Sequence, residues 1–282
     1  RQARQGWDWG IKPSFQTFLN DPSGFFKYRL GVRGWLELKP WTGGGLVAGV
    51  EAFPFNTVST SNVPLSRPVR SDGVPYMEKK VNMALLLAEQ IVKFPKEIYG
   101  RVTAGYLELE YGGLDAEAAR PFFGGRLLVG LSGSVVKKRD PDEMFKFKDN
   151  DWKDLYTTGF VNARLNLPEV EGAIDVKAGQ FLAGDRGARV TVSKFFNGFI
   201  LSAWYSFTGT DPFTDSFNRG YHDKGIAITI PLRMFTGTDS RTSYTYSLSP
   251  WTRDVAQDIE HFTPLFDFIG RATPLYLKKD WQ

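Results

Sequence analysis

What most constrains this chain is a period-two alternation of apolar and polar residues that recurs almost end to end, in segments of roughly 9 to 13 residues closed by turn residues. A period of two puts successive side chains on opposite faces of an extended strand, so each segment presents one apolar and one polar face. The candidate strands are 7–19, 25–38, 45–55, 80–92, 97–109, 115–123, 126–138, 155–167, 173–183, 188–196, 199–208, 223–234 and 241–249, with a less regular final segment near 263–277. In 7–19, Trp7, Trp9, Ile11 and Phe15 oppose Asp8, Lys12, Ser14 and Gln16. In 25–38, Phe26, Tyr28, Leu30 and Val32 oppose Lys27, Arg29 and Arg33. Val161, Ala163, Leu165 and Leu167 oppose Asn162, Arg164 and Asn166, and Ile226, Ile228, Ile230 and Leu232 oppose Ala227, Thr229 and Pro231.

The connections carry a second signal. Short ones (PWTGG, FPKE, FGG, PEVEG, Asn197-Gly198, TGTDS) alternate with connections that include three long ones, 56–79, 139–154 and 209–222. In an antiparallel meander alternate connections emerge at opposite ends, so all the long loops fall at one end. That asymmetry belongs to transmembrane barrels, and a soluble sandwich has no reason to sort its loops in this way. The expected fold is therefore all-β: a transmembrane antiparallel up-and-down β-barrel of about 12–14 strands, wider than a side-chain-filled eight-stranded barrel. One such unit accommodates all 282 residues.

Composition agrees: 15% aromatic residues and 29 glycines suit short strands and tight turns. No apolar run approaches the roughly 18 to 20 residues of a membrane-spanning helix, and the mean hydropathy of -0.28 is what strands with one lipid face and one polar face average to. Aromatics near segment ends (Trp7, Trp9, Trp35, Trp41, Tyr99, Tyr106, Tyr156, Tyr205, Tyr244) fit interfacial girdles, although aromatics also favour strands in general. The opening RQARQG has no basic-then-apolar leader, as in a mature form, a fragment or a protein without a secretory signal.

Several chemistries find little support. There is no cysteine for a disulfide, thiolate site or thiol nucleophile, and a formal charge of +4 spread along the chain does not make a nucleic-acid surface. His222 and His261 form no metal-spaced pair, and no nucleophile elbow is present. Asp140, Asp142 and Glu143 read as solvated loop acids before they read as a glycosidase pair, and DNDWKD (149–154) lacks EF-hand spacing. No catalytic residue, metal or cofactor is expected.

Six segments, in order, carry a resemblance: NDPSGFFKYRLGVRG (20–34), GYLELEYGGLDAEAARPF (105–122), KKRDPDEMFKF (137–147), GQFLAGDRGARVTVSKFFNG (179–198), HDKGIAITIPL (222–232) and SPWTRDVAQ (249–257). Together they resemble the YjbH-like exopolysaccharide and capsule outer-membrane family, over nearly the whole chain. The resemblance implies a bacterial outer-membrane location, a role in secretion or assembly of exopolysaccharide or capsule, and partners among other polysaccharide-export components. It also implies that 1–282 is a single barrel domain forming the C-terminal portion of a longer protein, with the irregular tail 251–282 as a candidate for the closing strand.

Within those motifs, Arg120, Arg139, Asp140, Asp223, Lys224, Arg253 and Asp254 read either as charges pairing across a lumen or as a hydrogen-bonding path for sugars. Asp185 and Arg186 sit in AGDRGA, a tight turn needing positive φ at Gly184 or Gly187, or else a pair folded into the barrel mouth. The basic lean of Lys12, Lys27, Arg29, Arg33, Arg101 and Arg164 favours an acidic polymer. The candidate substrate contacts are thus Arg29, Arg33, Arg101, Arg120, Arg164, Asp185, Arg186, Lys224 and Arg253. The functional expectation is a barrel that guides or tethers a polysaccharide through its lumen and loops, in contact with outer-membrane lipid. Its rivals are a non-conducting scaffold of an export machine and an outer-membrane enzyme acting on polysaccharide or lipid.

Overall fold

The computed structural model describes residues 6–21, 23–196, 199–231, 243–250 and 253–271. Thirteen antiparallel strands follow one another in sequence order around one sheet: β1 (Trp7–Asp21), β2 (Gly24–Leu38), β3 (Gly44–Asn56), β4 (Val81–Phe94), β5 (Ile98–Tyr106), β6 (Tyr111–Phe122), β7 (Leu127–Lys138), β8 (Tyr156–Leu167), β9 (Gly172–Gln180), β10 (Arg186–Phe196), β11 (Phe199–Gly209), β12 (Lys224–Pro231) and β13 (Ser243–Leu248). Two short helices, α1 (Val74–Glu78) and α2 (Leu265–Arg271), lie outside the sheet.

The faces follow the alternation. Trp9, Ile11, Val102, Leu131, Val161 and Ile226 all stay more than half exposed, on the outer side of a 13-stranded wall. Lys27, Arg29, Arg101, Asp115, Asn162 and Asn166 are buried on the inner side. This inverts the usual solubility pattern: apolar outside, ionic inside. The loops 57–80, 139–155 and 210–223 all leave at one end, called the mouth below, while the one-turn 3-10 segments Pro95–Glu97, Phe123–Gly125 and Pro168–Val170 turn the chain at the other.

Closure is unusual. With an odd strand count, β1 and β13 run parallel, and among the described residues no backbone ladder joins them. Tyrosine hydroxyls bridge the seam instead. Tyr244 Oη accepts the Phe15 N–H at 2.9 Å and donates to the Phe15 carbonyl at 2.5 Å. Tyr246 Oη meets Thr17 Oγ1 at 2.5 Å, and its ring stacks on Phe15 with 6.0 Å between centroids. The pairs 15/244 and 17/246 ascend together, as parallel neighbours must.

Several expectations are corrected. No fourteenth strand forms from the described tail: residues 265–271 are helical, not extended, and the tail packs inside the barrel. β6 begins at Tyr111, ahead of the expected 115. β5 stops at Tyr106, so Glu108 never faces outward and is buried in the loop that follows. The aromatic girdle is partial: Tyr156 is buried in the interior, Tyr99 packs against an inner cluster, and the Trp35 ring lies over inward-facing Gly10. The turns expected at Asn197-Gly198 and TGTDS, and the tail beyond 271, fall outside the described residues. Gly184 takes φ +94°, as the AGDRGA turn requires.

Candidate functional site

Two segments enter the lumen from the mouth: the loop 57–80 and the tail 253–271. A buried carboxylate ties them together. Asp254 Oδ1 accepts the backbone N–H groups of Val69 (2.8 Å), Arg70 (2.7 Å) and Ser71 (2.9 Å). Its Oδ2 accepts from Asn218 Nδ2 at 3.1 Å, linking the 210–223 loop to the same knot. Three successive N–H groups on one oxygen form an anion nest, which is why an acid can stand here fully buried.

From that knot the tail runs down the barrel, held at each step. Val255, Ala256 and Ile259 join Val69, Leu107, Tyr111, Val136, Tyr156, Phe160, Phe181, Leu182 and Phe213 in the largest apolar cluster. Asp185 Oδ2 accepts the Ala256 N–H at 2.7 Å, and burial pushes the Asp185 carboxyl up to about 6. Arg70 is bidentate to Glu108 at 2.6 and 3.1 Å and also reaches the Asp258 carbonyl, while Glu108 accepts the Glu260 N–H at 2.8 Å. Beside it, burial outweighs the Arg70 charge and pushes Glu110 up to about 7. Near the far end Leu265, Phe266 and Ile269 of α2 pack on Ala119 and Leu128. The described tail therefore leans on the wall formed by β3 to β10, where Arg189 donates to the Ala256 carbonyl.

The rest of the inner wall has a different character. Across β10 to β13 it presents Thr191, Ser193, Ser202, Thr229 and Thr245, with hydroxyl pairs Ser193–Ser202 and Thr229–Thr245 at 2.9 Å each. The side chains of Thr245 and Ser247 are exposed although they point inward. Past the seam come Lys12, Ser14 and Gln16 of β1 and Arg29 and Arg33 of β2. Among the described residues the inner wall is thus packed against the loop and tail from β3 to β10, while β10 to β13 mix small hydroxyls with Phe195, Ile200 and Trp204 on the same face.

The nine candidate contacts separate accordingly. Arg101 and Arg164 face inward, but each is committed. Arg101 pairs with Asp115 and with Glu117 (3.3 Å) and donates to the Thr263 carbonyl at 2.7 Å. Arg164 reaches Asp175 and Asp267 of α2, both at 2.6 Å. Asp185 anchors the tail, and Arg253 lies over the Tyr221 ring at 4.5 Å. Two do not face the lumen as expected, and Arg186 stays at the mouth, where the turn reading put it. Arg120 is exposed on the outer face over Phe122 (4.9 Å), and Lys224 shares the outer face with its ladder partner Tyr205. Arg186 is exposed at the mouth on Gln180 (3.2 Å). The cause is strand phase: an even position on β6 and on β12 points outward. Arg29 and Arg33 remain in the lumen with Lys12, which sequence reasoning placed inside without singling it out as a contact. Arg139, whose Nη1 donates to the carbonyls of Met83, Glu108 and Leu109, serves loop structure.

No cluster of three or more His, Cys, Asp or Glu suited to a metal occurs among the described residues. Ser134, Asp115 and His261 do meet, but both the serine hydroxyl (2.7 Å) and the imidazole (3.3 Å) are directed at the carboxylate, which is not the serine–imidazole–carboxylate order of a nucleophilic relay.

Comparison with known proteins adds the biological frame. The YjbH family profile, described as exopolysaccharide biosynthesis protein, matches residues 1–271. A curated relative, the uncharacterized lipoprotein YjbH of Escherichia coli (strain K12), is 29% identical over 96% of this chain. The chain spans 40% of that relative's length.

Proposed function

We propose, starting from the fact that this chain belongs to the YjbH family of exopolysaccharide biosynthesis proteins, that it is an outer-membrane β-barrel that guides or holds an exopolysaccharide strand during its secretion or assembly. The observation that carries the membrane half is the outer face. Large apolar side chains such as Trp7, Trp9, Ile11, Leu131 and Val161 are exposed around a sheet whose inner face holds the charges. In water such a belt is a liability; in hydrocarbon it is the stable arrangement. The relative's name, a lipoprotein, supports membrane association. The polysaccharide half is supported by the family and by the hydroxyls of Ser193, Ser202, Thr229 and Thr245 on the inner wall. No covalent chemistry is assigned to it.

The loop and tail that occupy the lumen favour one second reading, a scaffold that holds glycan or export partners without conducting. The separating experiment is cell fractionation with heat-modifiable gel mobility, followed by planar-bilayer conductance. A detergent-extracted species whose mobility shifts on boiling supports the barrel in the membrane, and partition into the soluble periplasmic fraction refutes it. Conductance that falls when glycan is added supports guidance; a silent barrel supports the scaffold. Loss of surface exopolysaccharide on gene deletion tests the biological role.

A further inference from the structure

We infer that Lys224 and Arg253, with Arg186 beside them, form a binding site for the phosphate of a membrane lipid headgroup on the outer rim of the mouth. This rests on the reading that the barrel stands in a membrane, and it is independent of what the lumen carries.

The fold brings the three cations to one stretch of rim. β10, β11 and β12 are neighbours in the sheet; Arg186 opens β10 and Lys224 opens β12, both at the mouth end. Arg253 stands where the tail enters the lumen, and it shares a ring with Lys224. The Tyr221 centroid is 4.5 Å from the Arg253 guanidinium carbon and 5.4 Å from Lys224 Nζ. Two like charges held over one ring repel, and an anion that meets both stabilises the pair.

The protein supplies no such anion among the described residues. Arg186 donates to Gln180 Oε1 at 3.2 Å and Arg253 to the Phe217 carbonyl, and none of the three cations forms an ion pair. The acids of the adjoining segments are engaged elsewhere. Asp223 accepts from Arg189 and from Trp204 Nε1, each at 2.9 Å, on the inner side. Asp215 caps the N–H groups of Phe217 (3.0 Å) and Asn218 (2.8 Å), and Asp254 fills the nest at 69–71. Asp211 is exposed and forms no ion pair.

Across the mouth the pattern is reversed. Lys137 pairs with Asp154 at 2.7 Å, Lys146 with Glu143 at 3.1 Å, Lys148 with Asp72 at 2.9 Å and Lys79 with Asp142 at 3.8 Å. That side carries its own counter-ions. The β10–β12 side leaves its cations to an anion from outside.

The apolar surroundings select the anion. Lys224 lies opposite Tyr205 on the outer face and two positions from Ile226. The His222 ring stacks on Tyr205 at 5.7 Å between centroids. Phe207, Phe217 and Ile226 are each more than half exposed. The charges therefore stand over exposed rings at the upper edge of the outward apolar belt, the level at which a membrane passes from hydrocarbon to headgroup. A molecule that joins a phosphate to acyl chains matches both parts of this surface, whereas a free phosphate ion would use the charges and leave the rings in water.

The test uses the detergent-purified protein and native mass spectrometry with three probes: bis-phosphorylated lipid A, the same lipid with both phosphates removed, and inorganic phosphate. The phosphorylated lipid should be retained at least about tenfold more tightly than the dephosphorylated one. Lys224→Gln combined with Arg253→Gln should remove about tenfold of that preference, as loss of a charge-assisted hydrogen bond does. Lys224→Gln alone, at an exposed side chain, should already lower it severalfold. Lys224→Arg should keep the preference, and Lys137→Gln should leave it unchanged. Heat-modifiable mobility after reconstitution into phosphatidylcholine vesicles reports whether each variant is folded and inserted. Equal retention of the dephosphorylated lipid, or an unaltered preference in the single and double Gln variants, overturns the site alone. Displacement of the lipid by an equimolar amount of inorganic phosphate marks a free-anion site and overturns the lipid assignment. A wild-type protein that does not insert into the vesicles overturns the membrane reading and this site with it.

Discussion

Replacing Asp254 with alanine should unlock the lumen without dismantling the barrel. The Asp254 carboxylate is fully buried and accepts three main-chain N–H groups of the 57–80 loop at 2.7–2.9 Å, plus the Asn218 amide at 3.1 Å. Alanine leaves those donors without an acceptor. A buried donor left unpaired costs about 1–3 kcal/mol. The Val69 N–H is buried while the bonds at Arg70 and Ser71 are only partly so, which lets water relieve part of the loss. The sum is about 3–6 kcal/mol, and it falls on the contact between loop and tail, since Asp254 belongs to no strand and makes no ladder bond. At 1.4 kcal/mol per factor of ten, local opening should become roughly 10²- to 10⁴-fold more frequent. Hydrogen exchange read by mass spectrometry on peptides covering 66–74 and 253–262 measures this directly. Exchange there should accelerate by that factor while peptides from β5 to β8 stay protected. Asp254→Asn, which keeps one acceptor oxygen, should fall between. Unchanged exchange at 69–71 in the alanine variant would falsify the role of Asp254 as the tie between the two segments, and global acceleration would show that the wall depends on the plug.

Three further outcomes are expected. Tyr244→Phe removes the hydroxyl that satisfies both backbone groups of Phe15 across the seam, at about 1–2 kcal/mol; with Tyr246→Phe added, the temperature of the gel-mobility transition should drop further, and an unaltered transition would mean the seam is held by something else. Glu110 at about 7 and Asp185 at about 6 are raised by burial above their ordinary values of 4.5 and 3.8. The folded state therefore holds more protons than the unfolded one between about pH 4 and 7, so stability falls as pH rises through that window, for Glu110 by an amount on the order of 3 kcal/mol. Glu110→Gln and Asp185→Asn should flatten the thermal midpoint's decline from pH 5 to 7.5, and an undiminished slope in both would refute the assignment. Phe266→Ala empties the contact of α2 with Ala119 and Leu128, a loss of about 3–5 kcal/mol; proteolysis should then cut within 259–271 at protease levels that leave the wild type whole, and wild-type resistance would contradict the docking.

The alternation of residues was enough to derive most of the wall. A side-chain period of two decides which residues share a face, and the spacing of turns decides where strands end, so the inward placement of Lys12, Arg29, Arg33 and Arg164 and the gathering of three long loops at one end needed no coordinates. Charge alone misplaces residues that alternation would have placed correctly. Arg120 and Lys224 were expected inside, and the even positions they occupy on β6 and β12 point out. What fills the barrel and what closes it rested on the tertiary structure. Asp254 meets residues 69–71 across more than 180 positions, and Tyr244 meets Phe15 across 229. Nothing in the residues beside them distinguishes a plug anchor from any other loop acid, or a seam tyrosine from any other strand tyrosine. Periodicity is a property of neighbouring residues and survives in the sequence. Which charge finds a counter-ion, and which, like Arg29, has no carboxylate in pairing reach among the described residues, depends on chain segments that only folding brings within a few ångströms.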